Sequence, residues 1–302
     1  MAASASIARA VRAGGRRQAA RLGGSGLLLL LPALALLVAF FLGPSVNMLV
    51  MSFRVPSTSQ PYAPGFTVGN YVGALTDVYY LEILWDTMVF GALTTLACLV
   101  IAYPVAYHLA RSRSRYKGLL YACVLSPLLV GVVIRCYGWI ILLANNGLIN
   151  DSLKRAGLVG TFLPLMYNEF GVAVGLIHVF LPFMILPVLG SIQSIDPALE
   201  EAAQSLGASR LKTMWRVVIP LSLPGIQAGT ILVFVLTVSS YVIPILLGGY
   251  KVMLMSTLVV QQLLDAFLWP FGAALALILS VAGALAIYLY LRFTGRLIRG
   301  IA

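Results

Sequence analysis

Side chains with catalytic chemistry are few in this chain and widely separated. The two histidines, His108 and His178, lie in different apolar segments, and no Ser-His-Asp, HExxH or paired-cysteine spacing is present. The stretch 207–213 superficially resembles a nucleotide-binding loop, but Leu211 occupies the position at which phosphate binding requires glycine. The sequence therefore predicts no enzyme, no ATP site, no metal site and no cofactor of its own.

The elements that must position any functional group here are membrane spans. Of the 302 residues, 61% are hydrophobic and 10% are charged, whereas soluble domains carry roughly 25% charged residues. Apolar runs long enough to cross a hydrocarbon core of ~30 Å predict an all-α membrane domain with six transmembrane helices over 26–302, after a basic arm at 1–25. The predicted spans are approximately 27–51, 83–110, 118–143, 170–192, 221–246 and 268–292. A cleaved signal peptide is the alternative for the first run, although no convincing cleavage site follows it.

Basic residues are unevenly distributed between the two sides of these spans. With the N-terminus inside, fifteen Lys and Arg residues fall in predicted cytoplasmic segments and four on the outer side. This bias predicts cytoplasmic N- and C-termini and accounts for the net charge of +11 without any nucleic-acid surface. The outer acidic residues either attract a cationic solute or remain there because basic residues are sorted inward. These acids are Asp77, Glu82, Asp86, Asp151, Glu169 and Asp265.

Arg135 is a charged residue inside an apolar run. A charge within a span is costly and by default marks a pathway or a buried partner. Counted along a continuous helix from Gly118, it lies ~26 Å in, at ~1.5 Å per residue. Snorkelling to the outer headgroups is therefore the alternative. Tyr137 and Trp139 nearby are either walls of the pathway or interfacial anchors.

The polar interlude at 193–219 predicts two short helices at the membrane surface. Asp196 suits a helix N-cap. Gly207 stands where a helix C-cap favours a positive φ, and Ser209 is placed to cap a second, basic turn. Two capped helices with a small-residue face are typical of a docking surface, and an amphipathic linker is the alternative.

This stretch also carries a recognisable spacing. Glu201-Ala202-Ala203, three residues, Gly207, nine residues and then 217–220 (VVIP) resembles the EAA signature of bacterial ABC importer permeases, with Val and Ile in place of the family's Ile and Leu. In that family the loop is the coupling helix, which sits in a groove of the cytoplasmic ATPase. The resemblance implies that 193–219, hereafter the coupling loop, docks an ATPase. The residues predicted for coupling are Glu200, Glu201, Ala202, Ala203, Gly207, Arg210 and Pro220.

Three further segments resemble the spermidine/putrescine branch of these permeases. They are 134–150 (IRCYGWIILLANNGLIN), 241–251 (YVIPILLGGYK) and 269–277 (WPFGAALAL). The resemblance implies a type I ABC importer permease fold in the bacterial inner membrane. It also implies a second permease in a hetero- or homodimer, two cytoplasmic ATPase subunits that bind ATP and Mg, and an outer solute-binding protein.

The solute implied by this branch is a polyamine, although relatives also carry amino-acid derivatives, opines or iron complexes. Many relatives have a carboxylate just before the segment that here begins Ser239-Ser240-Tyr241, and this chain has none. Pro244 is expected to break the fifth span in mid-membrane and leave carbonyls facing a cavity. The hydroxyls suit a small polar solute, cationic or not. The predicted pathway residues are Arg135, Tyr137, Trp139, Ser239, Ser240, Tyr241 and Pro244.

A secondary transporter or channel that is not coupled to an ATPase is the alternative function. Such a protein predicts inverted internal repeats and ion-binding acids within the spans. No inverted repeat is visible in the sequence, and most acidic residues lie near predicted span ends rather than within the spans.

Overall fold

A computed structural model describes residues 30–57 and 60–299, so the predicted arm at 1–25 lies outside the described residues. The described chain is almost entirely helical, with one antiparallel hairpin of β1 (Arg54–Val55) and β2 (Ala63–Phe66). The helices are α1 (Leu30–Ser52), α2 (Gly69–Thr76), α3 (Val78–Arg111), α4 (Lys117–Leu129), α5 (Val132–Leu143), α6 (Leu148–Arg155), α7 (Glu169–Gln193), α8 (Pro197–Ser205), α9 (Arg210–Ser239), α10 (Pro244–Lys251), α11 (Met255–Asp265) and α12 (Trp269–Arg299).

Six helical segments of the described chain are long and apolar enough to cross a membrane, or up to seven if α10 and α11 together count as one span. The six are Leu30–Ser52, Val78–Arg111, Val132–Arg155, Glu169–Gln193, Arg210–Ser239 and Trp269–Gly295.

Local side chains determine where two of the long helices begin. The carboxylate of Asp77 accepts a hydrogen bond from the backbone N–H of Tyr79 at 3.0 Å, at the start of α3. The side chain of Asn168 accepts one from the N–H of Gly171 at 2.9 Å, at the start of α7. Both bonds satisfy N–H groups that have no partner within the helix.

Helix α7 lies at the centre of the described bundle and packs against both α3 and α9. Over half of its most apolar window is buried, 56%, the highest share among the six segments. A Cβ built at Gly225 of α9 would lie 2.5 Å from the carbonyl oxygen of Pro187 in α7, so this close approach requires glycine. The main core includes Cys98, Ala102, Ala106 and Leu109 of α3, Leu176, Met184, Val188 and Ile192 of α7, and Val218 and Val233 of α9.

The third predicted span, 118–143, is two helices rather than one. Helix α4 closes with a 3₁₀ turn at Ser126–Leu129, and α5 begins after Gly131, whose backbone is extended. Pro127 contributes to the interruption because it has no N–H to donate to a continuing helix. Arg135 consequently lies in the first turn of α5, and the depth of ~26 Å computed for an unbroken helix does not apply.

The fifth predicted span, 221–246, also has different limits. Helix α9 begins at Arg210 and ends at Ser239, after which Ser240 is extended with ψ 128°. The prediction that Pro244 breaks the fifth span is wrong. This proline lies in the first turn of α10, where a missing N–H costs no intrahelical bond.

Helices α10 and α11, hereafter the bent pair, meet at 89°. The sequence did not predict this feature. Two side-chain bonds hold the start of α11: the N–H of Met255 donates to Thr87 Oγ1 at 2.8 Å, and Ser256 Oγ donates to the carbonyl of Ser240 at 2.6 Å. The angle therefore depends on α3 and on the end of α9.

The bundle has two distinct ends. At the loop end, Arg111 at the end of α3 donates to the carbonyl of Ile195, next to α8. At the opposite end, hereafter the hairpin end, α2 leads directly into α3, and the rings of Tyr80 and Phe271 lie 5.2 Å apart near the starts of α3 and α12.

Candidate functional site

The coupling loop has the caps that its sequence predicts. The carboxylate of Asp196 accepts from the N–H of Ala198 at 2.9 Å, at the start of α8. Gly207 has φ +85°, a conformation that L side chains rarely adopt. Ser209 Oγ accepts from the N–H of Lys212 at 3.3 Å, at the start of α9. The loop is thus two helices joined by a tight, glycine-dependent turn.

Glu200 is the anchored residue of the coupling loop, and it is 8% exposed. Its Oε1 accepts from Arg111 Nε at 2.7 Å, and its Oε2 accepts from the Tyr107 hydroxyl at 2.8 Å. A second guanidinium nitrogen of Arg111 donates to the carbonyl of Ile195 at 3.1 Å. Neither partner was predicted from the sequence. The sequence feature that could have indicated them is a Tyr and an Arg four residues apart in the last turns of an apolar span.

The other predicted coupling residues face outward or lie at the edge of the loop. Glu201, Ala202 and Arg210 are exposed, and Ala203 is half-buried. Apolar side chains share this exposed surface, with Leu206 90% exposed. Further exposed apolar residues here are Leu199, Leu211 and Trp215. In the described chain this apolar face is therefore uncovered.

Pro220 lies within α9 rather than at its start, because α9 already begins at Arg210. A wide π-helical turn at Met214–Val218 directly precedes it. Such a turn accommodates a residue that has no N–H for the regular i→i−4 ladder. The basic turn and the transmembrane part of α9 are thus one helix.

Arg135 and Trp139 both face α7. Arg135 Nη1 makes a long contact of 3.5 Å with the carbonyl of Val179, and its Nε is buried without a hydrogen-bond partner among the described residues. The Trp139 ring packs edge-on against His178, with ring centroids 5.6 Å apart. Tyr137 is exposed, so the structure does not bring it together with the other two.

The residues predicted from the fifth span lie around the break between α9 and α10. Ser239 and Tyr241 are exposed, Ser240 is half-buried and Pro244 is buried. Helices α5 and α10 contact one another and both contact α7. The described contacts do not, however, join Arg135 to the serines, so the predicted pathway residues form two groups on neighbouring helices.

A family model described as the binding-protein-dependent transport system inner membrane component matches residues 33–299. The chain belongs to this family. The resemblance drawn from the EAA spacing is therefore confirmed, and the permease is a multi-pass inner-membrane transport protein.

Curated relatives and solved structures agree with this family. The permease is 34% identical over 256 residues to the spermidine/putrescine transport system permease protein PotB of Haemophilus influenzae, covering 85% of this chain and 89% of the relative. It is 35% identical to PotB of Escherichia coli K12, covering 85% and 93%.

Among solved structures, a bacterial alginate ABC transporter in complex with an alginate pentasaccharide-bound periplasmic protein aligns with TM-score 0.74 at 18% identity. The alignment covers 92% of this chain and 97% of that chain. The predicted all-α, six-span ABC importer permease fold is confirmed. The permease is the inner-membrane component of a binding-protein-dependent transport system.

Proposed function

We propose that the permease forms one side of a polyamine pathway and that its coupling loop transmits the movement of partner ATPases to that pathway. It pairs with a second permease, as a hetero- or homodimer. Two cytoplasmic ATPase subunits bind ATP and Mg, and this chain needs no cofactor of its own. A solute-binding protein delivers the solute at the outer side. When the ATPases close, the coupling loops move together and the two permeases open the cavity outward.

The attachment of Glu200 to α3 is the observation that carries this proposal. Glu200 accepts from Arg111 and Tyr107, while its helical neighbour Glu201 is exposed. One face of α8 is therefore fixed to a transmembrane helix, and the other remains free for a partner. A helix held in this way transmits a push to α3, which a mobile linker does not.

The charge distribution supports the orientation in which the loop end is cytoplasmic. Segments at that end hold the larger group of basic residues, as the positive-inside rule requires. In this orientation the hairpin end, with β1, β2 and α2, faces the solute-binding protein. Two exposed acidic residues at that end, Asp86 and Asp265, suit a cationic solute.

The solute proposal rests on the relatives and on these acids. The PotB proteins are spermidine/putrescine permeases by name, and they align with 85% of this chain. We assign Arg135, Trp139, Ser239, Ser240, Tyr241 and Pro244 to the pathway walls. Tyr137 stands apart because its side chain is exposed, whereas those of its neighbours Arg135 and Trp139 face α7.

Co-purification and solute-stimulated ATP hydrolysis test the proposed function. The permease is expressed with its partner subunits, reconstituted in vesicles and supplied with solute-loaded binding protein. Putrescine or spermidine is expected to stimulate hydrolysis, whereas amino-acid derivatives, opines and iron complexes are expected to have little effect.

The Leu206→Asp variant is expected to lose the ATPase, because a charge replaces an apolar contact. Its control is Leu148→Asp, which changes an exposed leucine outside the coupling loop.

Two results would contradict this proposal. If the parental permease retains no ATPase, the coupling role is wrong. If it couples ATP hydrolysis to another class of solute, only the polyamine assignment fails.

A further inference from the structure

We propose that a cavity between the two arms of the bent pair binds the amino groups of a linear diamine. The cavity has a volume of about 260 Å³. Its polar lining consists of Tyr250, Thr257, Gln261 and Asp265. The identity of the ligand rests on the proposed polyamine function, whereas the site itself rests on the unpaired polar side chains and the cavity lining described below. It is separate from the pathway residues that the sequence predicted.

The polar groups of this cavity have no partners within the described chain. Thr257 is 8% exposed, and its hydroxyl is buried without a hydrogen bond. The side chains of Gln261 and Asp265 make no hydrogen bond or ion pair with any described residue, and neither does the Tyr250 hydroxyl. Buried polar groups are normally paired, so an unpaired hydroxyl that lines a cavity indicates a missing ligand or water.

The three polar residues of α11 form a ladder along one face of the helix. Thr257, Gln261 and Asp265 follow at intervals of four residues. The ordinary helical rise places the first two rungs ~6 Å apart, and Asp265 follows one π-helical turn later. The start of α11 is bonded to Thr87, and Leu263 near its end contacts Gly272 in the first turn of α12. Thr257 is therefore the deep rung and Asp265 the rung nearest the hairpin end.

Both arms contain wide π-helical turns, at Pro244–Gly248 and at Gln261–Asp265. Such turns interrupt the regular ladder of backbone hydrogen bonds and occur frequently at functional sites. Both turns contribute to the lining of this one cavity, Ile245 from the first and Gln261 and Asp265 from the second.

The chemistry of the lining fits an amine better than an anion. The Asp265 carboxylate, the Gln261 amide oxygen and the Thr257 hydroxyl all accept hydrogen bonds, and an ammonium group only donates them. The side chains of Ile245, Met253 and Val260 supply apolar wall for a methylene chain. The two nitrogens of a four-carbon diamine lie about as far apart as the first two rungs, Thr257 and Gln261. Lys251, which adjoins Tyr250 in sequence, is exposed and does not line the cavity.

Equilibrium binding of radiolabelled putrescine tests this site. The purified permease–ATPase complex is used without the binding protein, so that only sites on the transporter contribute. We expect Asp265→Asn to weaken binding about tenfold, because it removes the negative charge that faces the ammonium group. Thr257→Val is expected to weaken binding about threefold, because it removes a hydroxyl that accepts a hydrogen bond from the charged donor. Asp265→Glu is expected to remain within about threefold of the parent. Among competing diamines, the four-carbon chain is expected to displace putrescine better than the three- or five-carbon chain.

Glu82→Gln is the matched control, because Glu82 is an exposed carboxylate near the hairpin end that does not line the cavity. Retention of the ATPase shows that each variant is assembled. If Asp265→Asn does not assemble, the binding measured for Thr257→Val tests the site instead. If the parent binds putrescine but Asp265→Asn or Thr257→Val binds it equally, the site is wrong while the polyamine assignment stands. If the parental complex hydrolyses ATP but binds no diamine, the site is wrong while the importer role stands.

Discussion

Arg111 and Glu200 form an ion pair that joins the last turn of α3 to the first turn of α8. Arg111 Nη2 lies 2.6 Å from Glu200 Oε1, and Nε donates to the same oxygen at 2.7 Å. The guanidinium also donates to the carbonyl of Ile195, so the pair fixes both α8 and the turn that precedes it. The proposed coupling therefore requires that a displacement of α8 by a docked partner reach α3 through this pair.

We expect Arg111→Ala to uncouple the transporter. The change leaves the nearly buried Glu200 carboxylate without its cation, at a cost on the order of 2 kcal/mol for a pair at the edge of the bundle. Uptake should then fall more than ATP hydrolysis, and the ratio of the two rates measures this. Arg113→Ala is the control, because Arg113 is exposed and forms no ion pair among the described residues.

The charge-swapped double variant Arg111→Glu with Glu200→Arg is expected to recover part of the coupling. If Arg111→Ala transports solute and hydrolyses ATP in the parental ratio, the ion pair has no role in coupling.

Replacement of Gly207 by Val is expected to disrupt the turn between α8 and α9. A β-branched residue at φ +85° costs on the order of 1–2 kcal/mol. No atom lies within 4 Å of a Cβ built there, so the effect comes from the backbone alone. Membrane insertion should be normal, while ATPase co-purification or solute-stimulated hydrolysis is lost. Gly207→Asn is the control, because Asn tolerates positive φ. Equal loss in both variants would exclude a conformational cause.

Arg135→Ala is expected to reduce uptake while the ATPase remains bound. Its guanidinium faces the carbonyl of Val179 in α7 and has an unpaired buried nitrogen, which indicates a role inside the bundle. Arg155→Ala, at an exposed position in α6, is the control. Uptake is measured at equal amounts of assembled complex, and a normal rate for Arg135→Ala would remove this residue from the pathway.

Labelling with an impermeant thiol reagent tests the orientation. In a background with Cys98, Cys123 and Cys136 replaced by alanine, we expect cysteines at positions 60 and 152 to react in intact cells. Cysteines at positions 114 and 210 should react only after permeabilisation. All four native side chains are exposed, so accessibility within the chain does not distinguish them. Labelling of position 210 from outside would reverse the proposed topology.

The sequence alone determined the features that depend on local interactions. Asp196 and Ser209 cap helices through bonds to residues two or three positions away, and Gly207 adopts the positive φ that its place after α8 predicts. Runs of apolar residues likewise show that the chain crosses a membrane, because the bilayer requires a fixed length of helix. The EAA spacing lies within one loop and is therefore readable without a fold.

Only the tertiary structure decided how distant segments meet. Glu200 bonds Tyr107 and Arg111, which lie 93 and 89 residues away, so no spacing within the coupling loop reveals them. Apolar composition also gave no sign that 118–143 divides into α4 and α5, because both helices remain apolar across the break.

The bent pair shows the same limit most clearly. Its angle depends on a bond from Met255 to Thr87, 168 residues apart, and on a bond from Ser256 to Ser240. A hydropathy pattern describes one segment at a time, whereas these bonds exist only once α3, α9 and α11 have packed. The polar face of Thr257, Gln261 and Asp265 was readable as a spacing, but the cavity it lines was decided by that packing.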